Sequence, residues 1–297
     1  MKKNDPKAIF FLILTAVIWG FAFAFQTEGG QSLKNYWFNG IRFYIGSLSL
    51  LPVIFLFERK RVDQNTAKKT ILYGMLTGAI LFSASTLQQY GILLTHSPGK
   101  SGFITGLYMI FVPLCGIFMR RHVQIEAWLG VAFGVVGLFL ISFRGGAEPF
   151  EVGDLLTLLG AFFWTAHILV VDKFGSILPP LKYSLCQFLT TGTLCLLLAP
   201  ILEPGVLTPE HIQVALIPLL YCGICSVGVA YTCQVLGQRG TEPALASIIL
   251  CAESVFAAIG GALILHENLG LRAYIGCALI FLGILCSQIK IFPKSKA

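Results

Sequence analysis

Residues 8–27, AIFFLILTAVIWGFAFAFQT, form a run of 20 residues without a charged side chain. An α-helix needs about 20 apolar residues to cross the roughly 30 Å hydrocarbon core of a bilayer. Similar runs recur along the chain, and short stretches that hold most of the charged residues separate them. The stretch therefore predicts a membrane protein built from spanning helices.

The composition of the chain agrees with a lipid environment. Of the 297 residues, 56% are hydrophobic and only 12% are charged, whereas soluble domains carry about 25% charged residues. The net charge of +7 could indicate nucleic-acid binding. The basic residues, however, fall in short clusters between apolar runs, which is typical of topology signals. We therefore expect the lipid bilayer as a partner and no nucleic acid.

Ten apolar runs bounded by charged residues, Gly or Pro predict ten transmembrane helices in an all-α protein. Their approximate limits are 8–27, 36–57, 70–92, 100–119, 125–143, 154–171, 181–201, 212–235, 243–265 and 271–289. The first run also resembles a signal peptide, since Ala22-Phe23-Ala24 is similar to a cleavage site. It stays apolar beyond Ala24 and has a counterpart later in the chain, so we expect an uncleaved first helix.

The distribution of Lys and Arg predicts the orientation of the chain. With a cytoplasmic N-terminus and ten crossings, sixteen of these residues fall in inside segments and four in outside segments. Cytoplasmic segments of membrane proteins carry such an excess. We therefore expect a multi-pass protein of the plasma membrane with both termini in the cytoplasm.

The two halves of the sequence resemble each other at a shift of 145 residues. Trp19 matches Trp164 and Phe43 matches Phe188; further matches are Ala16 with Ala161, Gly78 with Gly223 and Gln89 with Gln234, and, at a shift of 146, Gly130 with Gly276 and Gly137 with Gly283. The pattern predicts two five-helix repeats, residues 1–145 and 146–297. An odd number of crossings inverts the second repeat. Inverted repeats are typical of transporters with a midplane binding site and alternating access.

Several stretches resemble the EamA-type members of the drug/metabolite transporter superfamily. They are Trp19-Gly20, residues 39–43 (NGIRF), residues 101–108 (SGFITGLY) with Val112-Pro113, and residues 253–258 (ESVFAA). The resemblance implies two five-helix copies, transport of a small organic metabolite and, in bacteria, export. Many family members have Glu-Pro where this chain has Glu253-Ser254. The missing proline leads us to expect a straighter ninth helix.

Ionisable residues inside spans are costly, by roughly 2.5–3.5 kcal/mol on insertion scales, and usually face a cavity or a partner. Glu253 is the eleventh residue of its 23-residue span, which places it near the midplane. We expect it to be the main ionisable group of the central site, or else a protonated side chain that bonds a neighbouring helix. Arg42 could snorkel outward, pair within the protein or bind an anionic substrate group. His167 could relay protons or be a satisfied hydrogen-bonding residue.

Uncharged side chains complete the predicted substrate site. Gln89 and Gln234 are repeat-related, so both should reach one central cavity. Gln187 is the repeat partner of Arg42 and makes the two copies differ in charge. The other candidates are Gln88, Tyr108, Tyr231, Trp19 and Trp164, and the two Trp residues could form aromatic walls or anchor at the interface.

The leading function is a secondary carrier of small organic metabolites, with protons as a possible coupling ion. The alternatives are an ungated channel-like facilitator, a membrane sensor or an intramembrane enzyme. No Walker, H-E-x-x-H or G-x-S-x-G motif occurs in the sequence, so we expect neither ATP hydrolysis nor catalysis. Cys222-x-x-Cys225 lacks a second ligand pair, and we expect no metal and no cofactor.

Overall fold

The computed structural model describes residues 5–95, 98–121, 123–142, 151–264 and 270–288, and their regular structure is helical. The helices are α1 (Pro6–Phe57), α2 (Gln64–Thr95), α3 (Pro98–Gly106), α4 (Tyr108–Phe118), α5 (Ile125–Ser142), α6 (Val152–Val170), α7 (Pro180–Leu202), α8 (Pro209–Val214), α9 (Leu216–Leu220), α10 (Thr232–Gln238), α11 (Pro243–Leu250), α12 (Glu253–Ile264) and α13 (Leu271–Gln288). Two π-helical segments, Val171–Gly175 and Tyr221–Tyr231, extend α6 and join α9 to α10. The predicted repeat boundary at residue 145 lies outside the described residues.

Helix α1 consists of two helices that meet at a single non-helical residue. Lys34 has φ 57° and ψ −161°, a backbone conformation that is essentially restricted to glycine. It divides α1 into a first limb, residues 6–33, and a second limb, residues 35–57. The sequence predicted two spans here with a longer connection between them.

The structure confirms an all-helical, multi-pass membrane protein. Within the described residues, seven helices are long and apolar enough to cross a membrane, and α1 with its two limbs is counted once among them. The regions 125–141 and 271–287 are shorter apolar helices. Large apolar side chains, including Leu56, Phe57, Phe118 and Ile201, are exposed on the outside. Such a surface suits lipid as its solvent.

Glycines allow α5 and α13 to approach at backbone contact. A Cβ atom on Gly130 would lie 2.8 Å from the carbonyl oxygen of Gly283, and one on Gly137 would lie 2.6 Å from that of Gly276. Without a hydrophobic force between helices in lipid, such close packing is a main source of association.

The second limb of α1 and α7 run antiparallel, and a carboxylate from each caps the other. Glu203, which follows α7, accepts hydrogen bonds from the backbone N–H groups of Asn35, Tyr36 and Trp37 at 2.9, 2.9 and 3.2 Å. Glu58, which follows the second limb, accepts from the N–H groups of residues 181 and 182 at 2.9 and 3.1 Å. Each carboxylate therefore accepts hydrogen bonds from N–H groups at the start of the other helix, where these groups have no partner within that helix.

The predicted ninth span consists of two helices, α11 and α12. The expectation that it is straighter than in family members with Glu-Pro stays a prediction. The predicted span 243–265 is broken between α11 and α12, where Ala252 donates its N–H to the carbonyl of Ile249 at 3.1 Å. Gly20 of the first limb packs against this break, and a Cβ atom on Gly20 would lie 2.6 Å from the carbonyl oxygen of Glu253. The backbones of α1 and α12 therefore approach closely at this point.

Candidate functional site

A small cavity of about 30 Å³ lies in the interior of the helical assembly. Its walls come from α1, α2, α3, α4, α6, the Tyr221–Tyr231 segment, α10, α11 and α12. Eight of the eleven predicted site residues line it: Trp19, Arg42, Gln88, Tyr108, Trp164, Tyr231, Gln234 and Glu253. The cavity therefore combines one acidic, one basic and several aromatic side chains.

Glu253 is the first residue of α12, directly after the helix break. Its side chain is only 6% exposed, and the hydroxyl of Tyr108 donates a hydrogen bond to its Oε1 at 3.2 Å. Within the described residues, no Lys, Arg or His nitrogen lies within 4.0 Å of the carboxyl group. An ionised carboxylate in this place would lack a compensating charge among these residues.

Three rings form an aromatic wall. The ring centroids of Trp19 and Trp164 are 6.0 Å apart, and the centroid of Tyr231 lies 4.7 Å from that of Trp19 and 6.2 Å from that of Trp164. Trp19 also donates from Nε1 to the carbonyl oxygen of Ser226 at 3.3 Å. Rings at these separations interact favourably beyond their buried area and form a rigid surface for an apolar or cationic group.

Arg42 does not snorkel to the surface, because its side chain is only 3% exposed. Its Nε donates to Oδ1 of Asn39 at 2.8 Å, and Asn39 donates from Nδ2 to Oδ1 of Asn35 at 2.6 Å. Asn35 in turn donates to the carbonyl oxygen of Thr86 at 3.2 Å. This chain of hydrogen bonds, here called the relay, connects the Nε edge of the guanidinium to a backbone carbonyl of α2.

The two predicted amides occupy different places. Gln234 lines the cavity, and its Oε1 is buried without a hydrogen-bond partner among the residues that the structure describes. Gln89 lies outside the group of lining residues and donates from Nε2 to the carbonyl oxygen of Gln26 at 3.0 Å. Because Gln26 lines the cavity, Gln89 is one residue removed from it.

His167 and Gln187 lie outside the lining residues and contact each other. His167 Nε2 and Gln187 Oε1 are 3.0 Å apart, and both side chains are fully buried. The ring of His167 is 5.8 Å from that of Trp164 and 6.0 Å from that of Tyr231. His167 therefore contacts two rings of the aromatic wall without lining the cavity itself.

Sequence reasoning missed several polar residues that line the cavity: Gln26, Thr105 and Ser226. A signal for Gln26 was present, because Trp19, Phe23 and Gln26 follow each other at spacings of four and three residues. Residues at these spacings share one face of a helix. Thr105 likewise precedes Tyr108 by three residues.

The nine cysteines are free thiols. Across the described ranges, no group of three or more His, Cys, Asp or Glu side chains is placed to hold a metal ion. Cys222 is buried and its sulfur lies 4.0 Å from the carbonyl oxygen of Ala22, so it packs against the first limb of α1.

The apolar helices and the polar cavity among them define a multi-pass membrane protein with an internal cavity. The chain belongs to the EamA-like transporter family, which matches residues 6–143 and again residues 151–288. The membership confirms the resemblance seen in the sequence.

Two of three similar proteins carry transporter names. An "Uncharacterized transporter" of Archaeoglobus fulgidus is 27% identical over 289 residues, which cover 94% of this chain and 85% of that protein. YoaV of Bacillus subtilis, also named an uncharacterized transporter, is 24% identical over 94% of this chain and 95% of its own. A WAT1-related protein of Arabidopsis thaliana is 25% identical over 82% of this chain and 74% of its own. A crystal structure shares the fold with a TM-score of 0.78 at 18% identity, over 95% of this chain and 96% of that one.

Proposed function

We propose that this protein is a secondary carrier that exports a small organic metabolite across the plasma membrane. Ten spans form two inverted five-helix repeats, residues 1–145 and 146–297, with both termini in the cytoplasm. The repeats rock against each other and expose the central cavity to either side in turn. The observation that carries the proposal is the cavity, because it lies between repeat-related elements and holds isolated polar groups in an apolar protein.

Reciprocal contacts support the inverted repeat. If a twofold axis relates residues that are 145 positions apart, each contact between the repeats implies a second, symmetry-related contact between the partner residues. The caps obey this rule, since Glu58 and Glu203 are 145 residues apart, and so are Tyr36 and Leu181. Close contacts at glycines show the same symmetry. At a shift of 146, the contact of Gly130 with Gly283 corresponds to that of Gly276 with Gly137. At a shift of 145, the contact of Gly78 with Gln187 corresponds to that of Gly223 with Arg42.

Repeat-related residues that touch each other mark the position of the proposed axis. Trp19 and Trp164 are such a pair, as are Phe43 and Phe188, whose ring centroids lie 6.3 Å apart. Tyr108 and Glu253 are a third pair and share a hydrogen bond. Two of the three pairs line the cavity. The proposed axis therefore passes through the proposed substrate site, as alternating access requires.

Glu253 is the proposed coupling group. Its carboxyl can hold a proton while the cavity is empty and release it when a cationic or hydrogen-bond-donating part of the substrate arrives. Competition between proton and substrate for one carboxyl group links their movements, which makes the proton the proposed coupling ion.

Counterflow in proteoliposomes tests the function. Vesicles loaded with one compound of a metabolite panel are diluted into the labelled compound, with and without a proton gradient. A carrier gives transient accumulation of label driven by the internal pool, and a coupled carrier gives gradient-dependent accumulation. Flux that never exceeds equilibration and shows no counterflow would instead establish the channel-like facilitator.

Reporter fusions test the proposed topology. Fusions after residues 65 and 240 should report a cytoplasmic position, and fusions after residues 96, 148 and 207 an external one. Reversed signals after 207 and 240 would contradict the inverted repeat.

A further inference from the structure

Among the described residues, Arg42 is a buried cation without an anionic partner. Within the described residues, no carboxylate oxygen lies within 4.0 Å of its guanidinium, and its end nitrogens have no oxygen acceptor. Its neighbours are the rings of Phe38 and Phe43, 5.5 and 5.3 Å from Cζ, and the sulfur of Cys222. Buried charges in membrane proteins are normally paired or face a cavity that a ligand occupies.

The relay through Asn39 and Asn35 orients the guanidinium. Each amide accepts with its oxygen and donates with its nitrogen, and the last donor bonds a backbone carbonyl. The relay uses only Nε of Arg42, whose end nitrogens have no oxygen acceptor among the described residues. The sulfur of Cys222 lies beside the guanidinium, and Arg42 lines the cavity. Two parallel N–H donors held in this way match the two oxygens of a carboxylate.

We propose that Arg42 is an anion subsite and that the transported molecule carries a carboxylate group that binds there. The proposal rests on the proposed function in so far as the ligand is a transported one. Glu253 lines the same cavity without pairing with Arg42. The substrate carboxylate therefore binds the guanidinium while a donor group elsewhere on the molecule bonds Glu253, and the aromatic wall packs against its apolar part.

The test compares carboxylates with their carboxamides on the same skeletons, by counterflow in proteoliposomes. We expect the carboxylate members to be transported and each amide to be at least about tenfold poorer, since a charge-assisted bidentate contact is lost. Arg42→Gln should raise the KM for the carboxylate about tenfold to a hundredfold. Arg42→Lys, which retains the charge and loses the paired donors, should give an intermediate KM.

Matched controls separate the subsite from general damage. Arg59 lies 5.2 Å from the ring of Phe55 on the exposed surface, so Arg59→Gln removes the same kind of group outside the cavity and should leave KM unchanged. Asn39→Ala keeps the cation but removes the acceptor that orients it, and should also raise KM. Equal transport of acid and amide, or an unchanged KM in a folded Arg42→Gln variant, would overturn the proposal.

Two further outcomes have defined meanings. The double variant Arg42→Gln, Glu253→Gln is compared with Arg42→Gln alone. If the second substitution restored transport of neutral amides, the guanidinium would be the counterion of Glu253 and the proposal would be wrong. If no compound were transported, the proposed function would fail, and binding of benzoate against benzamide, read by tryptophan fluorescence, would decide the subsite alone. A benzoate response that Arg42→Gln abolishes supports it, and one that Arg42→Gln leaves unchanged overturns it.

Discussion

The substitution Gly20→Ala, which adds one methyl group, tests the contact between the first limb of α1 and the start of α12. In Gly20→Ala, the new Cβ would lie 2.6 Å from the carbonyl oxygen of Glu253 and 2.8 Å from the backbone nitrogen of Ala257, and it would also overlap Cβ of Phe256. Real Cβ contacts are not this short, and two of the three opposing atoms are backbone. Helix α1 must therefore move away from α12 in the variant.

The expected magnitude follows from two opposing terms. Overpacking of a well-packed interior costs about 1–3 kcal/mol, and the rigid backbone atoms opposite Gly20 favour the upper end. Alanine in place of a helical glycine returns about 1 kcal/mol through backbone propensity. We expect Gly20→Ala to lower the free energy of unfolding by about 2 kcal/mol, a decrease in Tm of roughly 4–8 °C.

Gly102→Ala is the matched control, because a Cβ atom on Gly102 in α3 would meet no atom within 4 Å. The same substitution there should be stabilising by about 1 kcal/mol. Thermal unfolding in detergent, followed with a fluorogenic maleimide that labels buried cysteines such as Cys251 as they become exposed, measures both variants. A Gly20→Ala variant as stable as Gly102→Ala would refute the close approach of α1 and α12.

Three other substitutions test separate parts of the structure by the same unfolding assay or by transport. Glu203→Ala should destabilise the protein by about 2 kcal/mol. Glu58→Ala should destabilise it by less, because Glu203 caps three N–H groups and is more deeply buried than Glu58. Variants as stable as wild type would contradict the caps. Lys34→Gly should stabilise by about 1 kcal/mol, since φ 57° is strained for lysine, and a loss of stability would argue against that backbone conformation. Tyr108→Phe removes the donor to Glu253 and should shift the pH profile of transport while leaving insertion intact; an unchanged profile would separate Tyr108 from the carboxyl group.

The sequence predicted the class of fold because its evidence was composition and run length. Burial in lipid requires long apolar segments, and the repeat shift of 145 brings Trp19 against Trp164, as the structure shows. The direct junction at Lys34 was not predictable, because apolar content alone does not tell a short loop from one strained residue.

The orientation of individual side chains was harder to predict than the helices. In helices that are apolar on all sides, hydrophobic periodicity does not show which face lines a cavity. Gln89 and Gln234 looked equivalent by their repeat positions, but only Gln234 lines the cavity. The Asn35–Asn39–Arg42 relay was missed, although spacings of four and three residues on one helix were visible in the sequence.

The central claim, that the carboxyl group of Glu253 couples substrate to protons, is tested most directly by Glu253→Gln, with Glu28→Gln at an exposed position as control. Both replace a carboxyl by an amide of nearly the same size. Flux of the identified substrate in proteoliposomes is measured across a range of pH with and without a proton gradient. The account predicts that Glu253→Gln inserts normally but loses gradient-driven accumulation and the pH dependence of flux, while Glu28→Gln behaves as wild type. A Glu253→Gln variant with the rate and pH profile of wild type would contradict it.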